Sequence, residues 1–154
     1  MNYWLLKTEP ESFSVDDLAQ APRRTTGWDG VRNYQARNSL RDSLKVGDEA
    51  FIYHSSCEIP GIAGLARIVK QGYPDHTAFD RKHEHYDAGS DRTKPRWYMV
   101  DVQLVRRFKR VITLDELRHH ATRELRALVL LQKGSRLSVQ PVGADEWRFI
   151  LSLE

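Results

Sequence analysis

From Trp97 to Val105 the chain alternates without a break. Tyr98, Val100, Val102 and Leu104 fall on one face of an extended strand, and Trp97, Met99, Asp101 and Gln103 on the other. A period of two excludes a helix here and commits the protein to a sheet with one face in a core and the other partly wetted. Other segments supply partners for that strand. Tyr3–Thr8 reads as a strand stopped by Pro10. Glu49–Ser55 and Ile62–Tyr73 read as a pair joined near Pro60-Gly61, and Leu137–Val142 and Glu146–Leu151 as a closing hairpin about Gly143-Ala144-Asp145.

Helices are expected between these strands. Ser14 followed by Asp16-Asp17 is an N-cap with acids in the first turn, opening a short helix through Leu18. Beyond a turn at Gly27-Trp28-Asp29-Gly30, the spacing of Asn33, Ala36, Leu40 and Leu44 predicts a helix over Val31–Leu44 with Arg37 and Arg41 on its flank. Thr113-Leu114-Asp115-Glu116 has capping-box spacing, with a helix to about His119, and Thr122–Leu131 reads as helical as well. Strands and helices do not alternate strictly. The expected class is therefore α+β, a mixed, curled sheet with flanking helices, and not a doubly wound sheet.

The 154 residues contain no repeat, low-complexity tract or linker, so a single domain over 1–154 is expected. At this size folding buries roughly 68–70% of the chain's surface, enough for a core without disulfide or metal. Cys57 is the one cysteine, which excludes an intramolecular disulfide and suits a reducing compartment. Tyr3-Trp4-Leu5-Leu6-Lys7 lacks a signal-peptide pattern, and no run reaches the ~20 apolar residues of a membrane span. A cytoplasmic protein without a membrane partner is the expectation.

The formal net charge is +3, with basic residues gathered at Arg23-Arg24, at Arg32, Arg37 and Arg41, and at Arg106-Arg107-Phe108-Lys109-Arg110. Such clusters suit nucleic acid but also describe an ordinary solvated face. Trp28 and Tyr34 flank a glycine loop, and Trp97 lies opposite the apolar face of its strand. These rings either stack on a base or plug one end of the sheet. Tyr53-His54-Ser55-Ser56-Cys57 carries a possible base and nucleophile, but His54 and Ser55 point to opposite strand faces and the Gly-x-Ser-x-Gly elbow is absent. His76, Asp80, His83, Glu84, His85 and Asp87 are metal-ligand types without a metal-ligand spacing, so a solvated loop is the alternative. His119-His120 fits a helix C-terminus.

Several long motifs, in order, resemble one family. They are Tyr3 to Pro10, Trp28 to Asn38, Tyr53-His54-Ser55, Gly61 to Ala66, Pro95-Arg96-Trp97 with Val100-Asp101-Val102, and Gly134 to Val139 with Pro141-Val142. On these the chain resembles EVE domain proteins of the PUA-like superfamily, which is similar to YTH and ASCH domains. The resemblance implies a curved mixed β-barrel with peripheral helices, and a pocket for a nucleobase such as a modified cytosine in DNA. By the same motifs, Trp28 and Trp97 would be stacking walls, with Lys7, Glu9 and the Trp28–Asp29 backbone at the base edge. Arg32, Asn33, Tyr34, His54 and Ser55 would line the mouth, with Arg37, Ser135 and Arg136 on phosphate.

The implied protein is a non-catalytic reader of DNA or RNA, with no cofactor and no metal, that acts alone or recruits an effector protein. The short start suggests a bacterial source. A nucleotide-processing enzyme using His54, Glu9 or the histidine-rich loop, and a small-ligand domain using the same pocket, are the alternatives. DNA against RNA, the modification, the oligomeric state and the role of residues 75–93 stay open at this level.

Overall fold

The structure is a computed structural model that describes residues 1–154. Its frame is one six-stranded sheet in the order β2-β5-β4-β3-β1-β6, where β1 is Tyr3–Thr8, β2 Thr25–Trp28, β3 Glu49–His54, β4 Gly61–Pro74, β5 Tyr98–Thr113 and β6 Val139–Val142. β1 and β3 run parallel, and every other neighbouring pair is antiparallel. The class expected from the sequence, α+β with a curved mixed sheet, is observed. Full closure is not: β2 and β6 each pair with a single strand, so the sheet curls without becoming a hydrogen-bonded barrel.

The curl originates in β4 and β5. Their pairing shifts register four times between Gly61 and Pro74, and such bulges bend a long ribbon and increase its twist. The curled sheet is buried on both faces. Trp4, Leu6, Ala50, Ile52, Ile68 and Val102 pack with Leu18 and Leu40 on one side, while Leu5, Phe51, Leu65 and Ile112 pack with Leu117 and Trp147 on the other. Burial on both faces explains why β1 reads as a continuous apolar run and not as an alternation.

Helix α1 spans Val15–Gln20 with the complete Ser14/Asp17 capping box. α2 is shorter than its periodicity suggests. Asn33 caps it, its Oδ1 accepting Ala36 N–H at 3.0 Å, and Tyr34–Asn38 then widens into a π turn over Ser39–Ser43. α3, Leu114–Arg118, has the expected Thr113 cap, but its Glu116 carboxylate goes to Arg110 in place of the cap N–H. No helix of the structure is long and apolar enough to cross a membrane.

Three expectations are corrected. The supposed last strand, Glu146–Leu151, lies in helix α4, Ala144–Leu153, which buries Trp147 and Ile150 three residues apart with Asp145 and Glu146 in its first turn. Thr122–Leu131 is a series of turns ending in a 3-10 turn at Val129–Leu131. Gly27 and Trp28, expected in a turn, are strand residues, because Thr25–Trp28 forms the β2 edge against β5.

Candidate functional site

Residues from the ends of β1 and β2 line a cleft of about 560 Å³, a volume within the usual range of ligand sites. Lys7, Thr8 and Glu9 come from the end of β1, and Phe13 and Trp28 form an apolar wall. Asp29 to Arg32 form the rim, His83 to His85 lie against it, and Ser138 enters just before β6.

The rim is held from beneath by Asp75. This carboxylate is fully buried and accepts Gly30 N–H at 2.8 Å, Arg32 Nη1 at 3.0 Å and the Thr77 N–H at 2.9 Å. Burial alone would raise its pKa, but the donors of Thr77, Gly30 and Arg32 outweigh that and hold it below the usual carboxylate range. Arg32 also donates to the carbonyls of Val31 and His85, at 3.1 and 2.7 Å, and lies 5.4 Å over the Trp97 ring. One buried acid and one arginine thus lock the histidine segment onto the rim.

Gly30 is required where it stands. Its φ is +78°, and a Cβ there would fall 2.4 Å from the His85 ring. That ring has Nδ1 buried without a hydrogen-bond partner, 3.7 Å from Asp29 Oδ1, and Nε2 3.8 Å from Glu84 Oε1. Asp29, His83 and His85 bring ligating atoms within 4.8 Å of one another. His83 Nδ1, however, accepts the His85 N–H at 3.0 Å, so a neutral His83 carries its proton on Nε2 and serves there as a donor, not as a metal ligand.

Of the site residues expected from the sequence, Lys7, Glu9, Trp28, Asp29 and Arg32 come together in the cleft. Lys7 enters no ion pair, and burial pushes its pKa below the ordinary lysine value. Trp28 lines the cleft but is only 7% exposed, with its ring edge-on to Phe13 at 6.4 Å. The remaining residues lie elsewhere. Trp97 does not oppose Trp28 across a slot. It stacks on Tyr34 with ring centroids 4.9 Å apart and donates its indole N–H to Asp87 at 2.6 Å, so the packing reading of that ring describes its place.

Asn33 is the α2 cap, and Tyr34 lies half exposed between Trp97 and the Arg37 guanidinium, 5.0 Å from its ring. Arg37 also donates to the Arg96 carbonyl at 2.6 Å. His54 is absent from the cleft. It borders a second, shallower groove beside Arg107 to Val111, where its Nε2 accepts Val15 N–H at 3.0 Å. Ser55 bonds back to the Thr8 carbonyl through its N–H at 2.9 Å, so no nucleophile–base pair forms. Ser135 meets Gln140 at 3.4 Å, and Arg136 is exposed on the approach to Ser138. Among the residues that sequence reasoning did not place in the pocket are Thr8, Ser12, Phe13, Thr26, Ser138 and the histidine segment, which the sequence offers as metal ligands or as acid and base of an enzyme.

Comparison with known proteins fits this arrangement. The EVE domain family model matches residues 2–153. Rat thymocyte nuclear protein 1 is 53% identical over 99% of this chain and 74% of its own length. The structure of human THYN1 in complex with DNA containing 5-methylcytosine superposes with a TM-score of 0.94 at 49% identity, covering 99% of this chain and 97% of that one. A Pseudomonas syringae protein superposes at 0.92 with 50% identity, covering 98% of each chain.

Proposed function

We propose, because this chain belongs to the EVE domain family, that its cleft receives a single nucleobase presented by DNA and that the protein is a reader of modified cytosine without catalysis of its own. One observation carries the reading. The backbone coincides almost end to end with a relative whose structure holds 5-methylcytosine DNA, and the cleft lies beside Trp28 with acceptors and one unpaired lysine around it. An extruded base needs an apolar surface, polar groups at its edge and cations outside for the backbone. Phe13 and Trp28 offer the first, Lys7, Glu9 and Asp29 the second. Arg37 and Arg136, neither of them in an ion pair, are the proposed phosphate contacts.

The absence of catalysis is part of the proposal. It is supported by His54, whose Nε2 is committed to a helix N–H, and by Ser55, whose groups return to the backbone. The test is fluorescence anisotropy with oligonucleotides carrying cytosine, 5-methylcytosine or 5-hydroxymethylcytosine at one position, at two salt concentrations. Wild type should bind one modified form more tightly. Lys7→Met and Trp28→Leu, each checked by thermal melting, should weaken that binding by about tenfold, the scale of one stacked or edge-bonded base. Binding that ignores the modification, or that occurs only to free nucleosides, would defeat the reading.

A further inference from the structure

The cleft holds more free acceptors than free donors. Glu9, Asp29 and Glu84 bring three carboxylates to it, while the Arg32 guanidinium is occupied by Asp75 and by the carbonyls of Val31 and His85. Glu9 and Glu84 stand out in solvent. Asp29 does not. Its side chain is 34% exposed, follows Trp28 directly and accepts no hydrogen bond from the protein, with His85 Nδ1 at 3.7 Å, beyond hydrogen-bond length.

The backbone that carries Asp29 is nonetheless fixed on both sides. Asp29 N–H donates to the Gly27 carbonyl at 3.1 Å, and the Gly30 N–H is held by buried Asp75. A carboxylate can only accept, and water reaches this one, so a ligand that displaces that water must bring a donor in its place or leave the carboxylate unmatched. Oδ1 lies on the His85 side, which leaves Oδ2 for that ligand.

We propose that the Asp29 carboxylate is the specificity-determining acceptor for the exocyclic amino group of the bound base. It selects 4-aminopyrimidines, cytosine and its 5-substituted forms, over 4-oxopyrimidines. A 4-amino group places an N–H donor toward the carboxylate, whereas a 4-oxo group sets oxygen against oxygen and is rejected. This inference rests on the base-binding reading of the same cleft.

5-Methylcytosine and thymine share the 5-methyl group and differ along the hydrogen-bonding edge, so they isolate this contact. Otherwise identical single-stranded oligonucleotides carrying one or the other are titrated by anisotropy at fixed salt. Wild type should prefer 5-methylcytosine by about tenfold or more. Asp29→Asn, nearly the same shape and able to donate, should bring the ratio close to one or invert it while leaving the melting temperature in place. An unchanged ratio in Asp29→Asn overturns the inference. So does equal wild-type binding of both oligonucleotides that is lost in Lys7→Met, which would leave the base-binding reading standing. Failure of wild type to bind either oligonucleotide removes both.

Discussion

The Asp75 carboxylate accepts the Gly30 N–H at 2.8 Å across 45 residues of chain, joining the rim of the cleft to the segment that follows β4. It holds Arg32 at the same time, so removing it leaves a largely buried cation without its carboxylate and two backbone donors without a partner. Asp75→Ala should lower unfolding free energy by about 3–5 kcal/mol, the usual cost of breaking a buried pair on one side. Asp75→Asn, which still accepts from Gly30 or Thr77, should lose less. Urea melts of both variants measure the difference.

Gly30 and His85 should behave as a coupled pair. Gly30→Ala places a methyl into the His85 ring and a side chain at φ +78°, and should cost about 1–2 kcal/mol from the backbone alone, plus the clash. In the double variant with His85→Ala the clash is gone and only the backbone cost remains. A double-mutant cycle should therefore show coupling of at least about 0.5 kcal/mol, and strict additivity would contradict the packing described here.

His54 makes stability sensitive to mild acid. Burial pushes its pKa below the ordinary histidine value, the smaller opposing influence being Asp16, and its Nε2 accepts a backbone N–H in the neutral form. The unfolded chain titrates near 6.5, so between the lowered folded value and about 6.5 it binds more protons than the native state. This stability is present in full above about pH 6.5 and is lost as pH falls through the folded value. Urea midpoints should drop as pH falls below about 6.5, and less steeply in His54→Gln.

The basic run on β5 should contribute little to DNA affinity. Arg106 is paired with Glu154, Arg107 with Asp16 and Arg110 with Glu116, so these charges are largely balanced before any ligand arrives. Arg107→Gln should leave oligonucleotide binding within about twofold. Arg37→Gln, which removes a cation without a carboxylate partner, should weaken binding to all sequences and reduce the slope of log K against log salt by about one.

What the sequence made legible was local. The Ser14 cap, the Thr113 cap and the strands Tyr3–Thr8 and Glu49–His54 follow from neighbouring residues, and they lie where the patterns place them. Glu146–Leu151 misled because Trp, Phe and Ile suit a strand. Its helical state is favoured by Trp147 stacking on Phe51 at 3.9 Å and on Tyr3 at 4.6 Å, contacts that only the assembled sheet provides. The cleft was half legible for the same reason. Lys7, Trp28 and Asp29 stand in recognisable motifs, but the approach of His85 to Gly30 is fixed by Arg32 bonding a carbonyl 53 residues away. Trp97 could not be assigned from alternation alone, because its stacking partner Tyr34 lies on another element.

The placing of β1 has a consequence for biosynthesis. It is the third residue onward that forms this strand, yet one of its neighbours in the sheet is β6, and Lys7 N–H bonds the Ser138 carbonyl at 2.9 Å. A ribosome delivers these partners far apart in time, so one edge of an apolar strand waits unpaired until β6 has emerged. The nascent chain carries that exposed edge until β6 follows, and the cleft lacks Ser138 until then. A product that stops before β6 would keep that strand edge unpaired and open to capture by chaperones.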